Sequence, residues 1–342
     1  MFNRKHDRVI DSLLRQADRY ALARGFKDNE IKQRMIDLEH QNEENKQHPI
    51  RVEVDVEGIG EVAVYISILG GKTAGSKTYI TLGGGLSHAG SMKTLAFPIA
   101  ALTGSRVIML ANVFNGESKI KSKDLRNRFY SYDKKHGGYT SDGLFYAQVL
   151  EKLHRQQLLG DQIELVGQSA GAAGLLRTAA YLKSQNSEIF HRIKRVTLIS
   201  PAGVFPESDR SPILHRLIDL TRLRLGFIAE TVNLVPVLAR NRDPWINVFG
   251  EKYMWFLDPR DFLKLGARSV NPILSEVSRE IATEISIYTG SHDKAFTYKT
   301  ISRVVSDINK TRVPTVYLHM LDGNHSIMFT KAFEMAMMIA DK

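Results

Sequence analysis

The reading of the chain turns on residues 163–176, Ile163-Glu164-Leu165-Val166-Gly167-Gln168-Ser169-Ala170-Gly171-Ala172-Ala173-Gly174-Leu175-Leu176. Ile163–Val166 is a short apolar run of strand type, and Ala170–Lys183 is a helix rich in small residues. Between them lies Gly-x-Ser-x-Gly, with Ser169 at its centre. The pentapeptide alone is a weak signal; its place directly after a buried strand and directly before a helix makes it a strong one. A serine at such a turn projects its hydroxyl beyond the sheet edge, in backbone geometry that flanking glycines permit. The helix start behind it supplies unpaired backbone N–H groups and the positive end of a dipole. The alternative is a tight turn with a solvated serine.

Outward from this point, short apolar strands alternate with helices. Tyr79–Leu82, Arg106–Leu110, Val196–Ile199, Glu284–Thr289 and Val313–Met320 read as strands. Ser91–Leu102, Ser141–Leu159, Thr297–Lys310 and Ile327–Ala340 read as helices. The alternation predicts a mostly parallel sheet covered by helices on both faces. Ile50–Val56 and Val62–Ile68 alternate apolar and polar residues around Gly58-Ile59-Gly60, which predicts an antiparallel hairpin opening the sheet. Residues 1–47 read as two amphipathic helices, with a break near Gly25 to Asn29 and a polar linker over Gln41–His48. The pattern lapses between Val204 and Glu280, a stretch rich in Leu, Arg and aromatics with breaks at Pro206, Pro212, Pro236, Pro244 and Pro259. There is no internal repeat.

A nucleophilic serine needs a base, and the base needs a group to orient it. His325 falls in the loop after the last strand, within Leu321-Asp322-Gly323-Asn324-His325-Ser326. Asp293 follows the preceding strand, within Thr289-Gly290-Ser291-His292-Asp293. Asp209 is the runner-up for the acid, and His292 and Asp322 are neighbours that compete for the assignment. The alternatives are a loop histidine capping the last helix and an ordinary turn aspartate. Acyl transfer also needs oxyanion donors. Gly83-Gly84-Gly85 follows the Tyr79–Leu82 strand, so the preferred pair is the N–H of Gly85 with that of Ala170, and Leu86 is the alternative. The glycine run fits neither the phosphate-loop nor the dinucleotide-binding pattern.

In these motifs the chain resembles the α/β-hydrolase superfamily, in a capped, serine-nucleophile, esterase- or lipase-like form, over about residues 49–342. By motif, Ser169 matches the nucleophile-elbow serine, Asp293 the acid and His325 the histidine. Gly83-Gly84 stands where that superfamily commonly has His-Gly, and Gly85 at the usual oxyanion position. The resemblance implies an α/β-hydrolase core (49–203 and 283–342) with a helical cap insertion (204–282); residues 1–48 are expected as an N-terminal helical extension with no counterpart in the minimal fold. It further implies ester hydrolysis through an acyl-enzyme, with neither a metal nor an organic cofactor. A thioesterase, peptidase, carbon–carbon hydrolase or acyltransferase would use the same triad, and a non-catalytic binding protein could use the same fold. A cap would supply an apolar acyl pocket, with Trp245 and Trp255 as lining candidates and Gln168 as a further substrate contact.

Composition narrows the class. The chain has 342 residues, 43% hydrophobic and 25% charged, as in an ordinary globular protein. No cysteine is present, which excludes disulfides, thiolate zinc sites and a cysteine nucleophile. The N-terminus carries no apolar secretory segment, and apolar windows such as Phe97–Leu102 are too short for a transmembrane helix, so a cytoplasmic protein is expected. The net charge of +10 raises the question of nucleic acid. Half of it, however, sits in residues 100–160, which carry 10 basic and 5 acidic side chains, nearly all of the excess within Lys119–Lys135. That stretch reads as a solvated surface loop, with attraction of an anionic substrate or lipid the lesser alternative. No nucleic-acid-binding pattern accompanies it. Residues 1–48 are nearly balanced, with 10 basic and 9 acidic side chains, which favours packing on the core or contact with a second copy over a membrane anchor. The expected partner is a small acyl substrate.

Overall fold

A computed structural model describes residues 8–24, 29–46, 50–71, 77–84, 92–112, 122–204, 270–280, 284–294, 296–310, 316–325 and 327–341. The strands are β1 (Ile50–Val56), β2 (Gly60–Leu69), β3 (Lys77–Leu82), β4 (Arg106–Leu110), β5 (Gln162–Gln168), β6 (Ile193–Ile199), β7 (Glu284–Gly290) and β8 (Val316–Leu321). They form one sheet in the order β1-β2-β4-β3-β5-β6-β7-β8. β1 pairs antiparallel with β2, and β2 antiparallel with β4; every other pair is parallel. The expected hairpin and the mostly parallel sheet are both present. Position decides composition: β4 is buried along its whole length, and β5 everywhere but its first residue, because helices cover both faces. β1 alternates exposed and buried residues from Arg51 onward, as a strand with one solvated face must.

The helices are α1 (Arg8–Arg24), α2 (Asn29–Lys46), α3 (Lys93–Thr103), α4 (Lys123–His136), α5 (Thr140–Arg155), α6 (Ala170–Ser184), α7 (Glu188–Arg192), α8 (Asn271–Glu280), α9 (Tyr298–Lys310), α10 (Ile327–Thr330) and α11 (Ala332–Ala340). From β3 the chain steps to β4 on one side and then returns to β5 on the other. The sheet order therefore reverses between β3 and β5, and such a switch point opens a crevice at the carboxyl ends of the strands. Gly83-Gly84 and Ser169 lie at this crevice.

Two sequence expectations are corrected. Lys123–His136 is helix α4, not part of a surface loop. Ser122 caps it, its side chain accepting from Leu125 N, and Asp124 in the first turn and Lys134-Lys135-His136 in the last suit the helix dipole. Phe129 and Asp133 are its buried side chains, and Leu125 and Tyr132 pack beside them partly buried, a short stripe set among charges. Likewise Gln41–Lys46 continues α2 rather than forming a linker. Gln41 exchanges two hydrogen bonds with the backbone of Gly70, at 3.0 and 3.2 Å, and Asn42 is buried, so polar residues here face the protein.

The N-terminal helices form a layer on the sheet. α1 packs on α11 and α3, burying Ile10, Leu13 and Ala17; α2 packs on α3 and β2, burying Met35. Gln16 Oε1 accepts the Phe333 N–H at the start of α11, and Arg34 donates to Ala101 O near the end of α3. This cover explains why α3 and α11 are apolar on nearly all sides.

After β6, the Gly203 carbonyl accepts the N–H of Val270 at 2.8 Å, so the chain leaves and returns at one point. Residues 205–269 lie between those ends, outside the described residues. α8 packs against α6, with Ile273, Leu274 and Val277 buried. Among the described residues no helix is long and apolar enough to cross a membrane.

A row of polar side chains crosses the sheet away from the crevice. Tyr79, Glu164, Arg195 and Glu284 are register partners on β3, β5, β6 and β7. The Glu164 carboxylate takes Lys77 Nζ at 2.7 Å on one oxygen and Arg195 Nη1 at 3.3 Å on the other. Arg195 also donates to Ile339 O at 2.8 Å, pinning the end of α11. Burial pushes the Tyr79 phenol up, with Glu164 adding to the rise and Arg195 opposing it. The Tyr288 phenol on β7 is raised to about 12, chiefly by burial. Both phenols therefore stay neutral. Glu164→Ala would leave Arg195 buried without its closest carboxylate, and should lower stability by about 3–5 kcal/mol. The double variant Glu164→Leu/Arg195→Met should recover most of that loss. Urea denaturation of the three proteins measures both, and an unchanged midpoint for Glu164→Ala would contradict the role given to the row.

Candidate active site

Ser169 occupies the turn between β5 and α6 with φ 53° and ψ −120°, a sparsely populated conformation for a non-glycine residue. Such strain costs of order 1–3 kcal/mol and persists only where the surroundings fix it. Here Ser169 N donates to Ile199 O at 2.9 Å, and Ser169 O accepts from both Ala172 N and Ala202 N at 3.1 Å. The end of β6 thus holds the turn open. Ala170 begins α6, where its N–H has no acceptor within the helix. Ser169 is 6% exposed, so its surroundings are largely closed to water.

The glycines of the turn are set by close approach. A Cβ on Gly171 would lie 2.3 Å from Gly83 O and 2.5 Å from Leu82 O, so the elbow rests directly on the end of β3. A Cβ on Gly167 would lie 2.5 Å from Ala172 Cα, where the helix folds back over the strand.

Asp293 and His325 meet at the ends of β7 and β8. His325 Nδ1 and Asp293 Oδ2 are 3.0 Å apart, with the Asp293 side chain fully buried and the histidine 9% exposed. The other carboxylate oxygen, Oδ1, accepts the Phe296 N–H at 2.8 Å, and the Phe296 ring packs against the imidazole at 5.3 Å between centroids. The aspartate is thereby oriented from both oxygens. The two loops are also joined by backbone: Ser291 N donates to Leu321 O and His292 N to Gly323 O, both at 2.8 Å. Gly290 makes this possible, since a Cβ there would meet Gly323 O at 2.4 Å and Asn324 O at 2.5 Å. Because these contacts are to backbone, Gly290→Ala must part the acid loop from the histidine loop. We expect it to lower stability by about 1–3 kcal/mol, as overpacking does, read by urea denaturation, and an unchanged midpoint would show that the two loops need not touch.

Because β5 to β8 are parallel neighbours, Ser169, Asp293 and His325 all lie at the same carboxyl edge of the sheet. The competing neighbours are disposed differently. His292 Nε2 and Asp322 Oδ1 lie 3.4 Å apart, both strongly exposed, and Ser291 Oγ donates to the same Asp322 oxygen. Gln168 is buried, and its Oε1 accepts the Gly84 N–H at 2.9 Å. Gly85, Leu86, Asp209, Trp245 and Trp255 lie outside the described residues. Sequence reasoning missed Ser200, which has φ 43° and a buried hydroxyl and donates its N–H to Tyr288 O at the end of β6. Among the described residues no cluster of three or more His, Asp or Glu side chains is arranged to hold a metal ion.

The fold finds a match among solved structures. An esterase from Pyrococcus furiosus superposes with a TM-score of 0.56 at 13% identity, covering 87% of this chain and 91% of that one. The 2-hydroxy-6-oxo-6-phenylhexa-2,4-dienoate hydrolase from Rhodococcus superposes at 0.54 and 15% identity, over 86% of this chain and 98% of that one. The chain has the α/β-hydrolase fold. A thioesterase domain from the curacin biosynthetic pathway shares it as well, at 0.53 and 14% identity, over 86% of this chain and 99% of that one. No family model matches the chain, and no curated protein matches it in sequence.

Proposed function

We propose that this α/β-hydrolase-fold protein is a serine hydrolase that cleaves a carboxylic ester with an apolar acyl group. The observation that carries the reading is the buried Asp293–His325 pair, 3.0 Å apart, on the same sheet edge as a serine held at φ 53°. In this reading Ser169 Oγ attacks the acyl carbonyl while His325 Nε2 takes its proton. The carbonyl π electrons move to oxygen, giving a tetrahedral oxyanion that faces the N–H of Ala170 and a second donor from Gly85 or Leu86. Collapse expels the alcohol, which takes the proton from His325. Water then attacks the acyl-enzyme, His325 accepts its proton, and the carboxylic acid leaves as Ser169 regains hydrogen. Asp293 keeps the imidazole proton on Nδ1, so Nε2 stays free to act as base.

Of the stretch 204–282, the part between the Gly203–Val270 contact points would form a cap over this edge, with Trp245, Trp255 and other apolar residues making the acyl pocket; α8 packs on α6 instead, and residues 1–48 would be an added helical layer. The hydrogen bond between Gly203 and Val270 supports an insertion at that point. Esterases, a carbon–carbon hydrolase and a thioesterase domain share the fold, so the scissile bond is tested by a panel. Purified protein should hydrolyse p-nitrophenyl esters and favour longer acyl chains over acetate. Turnover of acyl thioesters alone would move the reading to thioesterase, and no turnover of any acyl substrate would contradict it.

A further inference from the structure

The ladder between β3 and β5 ends at Leu82 and Gly167. One residue further on, the Gln168 side chain adds another link by taking the Gly84 N–H at 2.9 Å. The fit is close on both sides. A Cβ on Gly84 would stand 2.6 Å from Gln168 Oε1 and 3.1 Å from Ser169 Cβ. On the opposite side, Gly171 touches Gly83 O so closely that it has no room for a Cβ either. Gly83 and Gly84 are thus wedged between the residue before the serine and the second residue after it.

Consecutive glycines have no side chains to fix them and lose the most conformational freedom on being ordered. A backbone segment beside a reacting centre works only if it is already in place, because a donor that must reorganise during the reaction gives up much of its value. Gln168 supplies the missing restraint from the buried end of a central strand, next to the strained serine. We propose that Gln168 is a positioning residue: its side-chain carbonyl holds Gly84 at a fixed place beside Ser169. This rests on the reading of Ser169 as the nucleophile. It also assigns the Gly84 N–H to Gln168, so that group is not itself an oxyanion donor.

Gln168→Met tests the proposal, because it keeps length and bulk but removes the acceptor. For a p-nitrophenyl ester, kcat should fall by about 10- to 100-fold, part of the effect of losing an oxyanion donor outright, while KM stays within about twofold. The thermal midpoint should stay within a few degrees. In wild type the Gly84 amide should exchange slowly with solvent, as read by NMR. In the variant it should exchange fast while the amides of β5 keep their protection. Unchanged kcat in a folded variant overturns the proposal. A rise in KM with kcat unchanged also overturns it, because Gln168 would then be a substrate contact. Rapid exchange of Gly84 in wild type overturns it without any variant. If wild type turns over no acyl substrate, the reading of Ser169 fails instead, and the Gly84 exchange result still reports on the hydrogen bond.

Discussion

Ser169→Ala is expected to lose ester hydrolysis by about 10⁴- to 10⁶-fold while remaining folded. The substitution removes one oxygen and leaves the backbone hydrogen bonds to Ile199, Ala172 and Ala202 in place. Alanine pays the same kind of penalty as serine at φ 53°, so stability should change little. What disappears is the covalent route, because the acyl group has nothing to be transferred to. The residual rate is what a donor-lined pocket gives to direct attack by water. Turnover of a p-nitrophenyl ester at high enzyme concentration, paired with a thermal melt, reads both effects. A variant within tenfold of wild type would remove Ser169 from the nucleophile's place.

Asp293→Asn is expected to lower kcat by about 10⁴-fold with the fold intact. The hydrogen bonds around the carboxylate say why. Oδ1 accepts from Phe296 N, and Oδ2 faces His325 Nδ1. An asparagine must keep its one carbonyl oxygen on the Phe296 N–H, since two donors cannot face each other there. Its NH2 then points at His325 Nδ1, which has to become an acceptor. The imidazole proton moves to Nε2, and the histidine can no longer take a proton from serine. Steady-state kcat with a melt of the variant tests this. If more than a tenth of the activity remained, the orienting acid would have to be sought elsewhere, with Asp209 the first alternative.

The sheet could be read from the sequence because burial leaves a mark on composition. β4 and β5 are short apolar runs because helices cover both faces, and β1 alternates because only one face is covered. Helix α4 could not be read that way. Its apolar stripe is only three residues, Leu125, Phe129 and Tyr132, two of them partly buried, and it is set among charges that read as a solvated loop. The last turns of α2 were hidden for a related reason: Gln41 and Asn42 meet the protein with polar atoms, which a hydrophobicity pattern cannot register. The polar row across β3, β5, β6 and β7 needs the strand register, and no single segment encodes that.

The site divides in the same way. Ser169, Asp293 and His325 each follow a recognisable strand, which is why their order along the chain suggests a triad; the structure pairs His325 with Asp293 and puts Ser169 on the same sheet edge. The pairing of His292 with Asp322, away from His325, depends on how two loops lie together. Gln168 was legible as a neighbour of the serine, but not as the partner of Gly84. The direction of its side chain follows from the strained turn, and the distance to Gly84 from the crossing between β5 and β3.

The central claim is that Ser169 is the nucleophile of an acyl-transfer site. Incubation of the folded protein with a fluorophosphonate, followed by intact-mass and peptide mass spectrometry, tests it most directly. One adduct on wild type, mapped to Ser169 and missing from Ser169→Ala, is the predicted result. Folded wild type that takes no label, or label carried on any other residue, would contradict it.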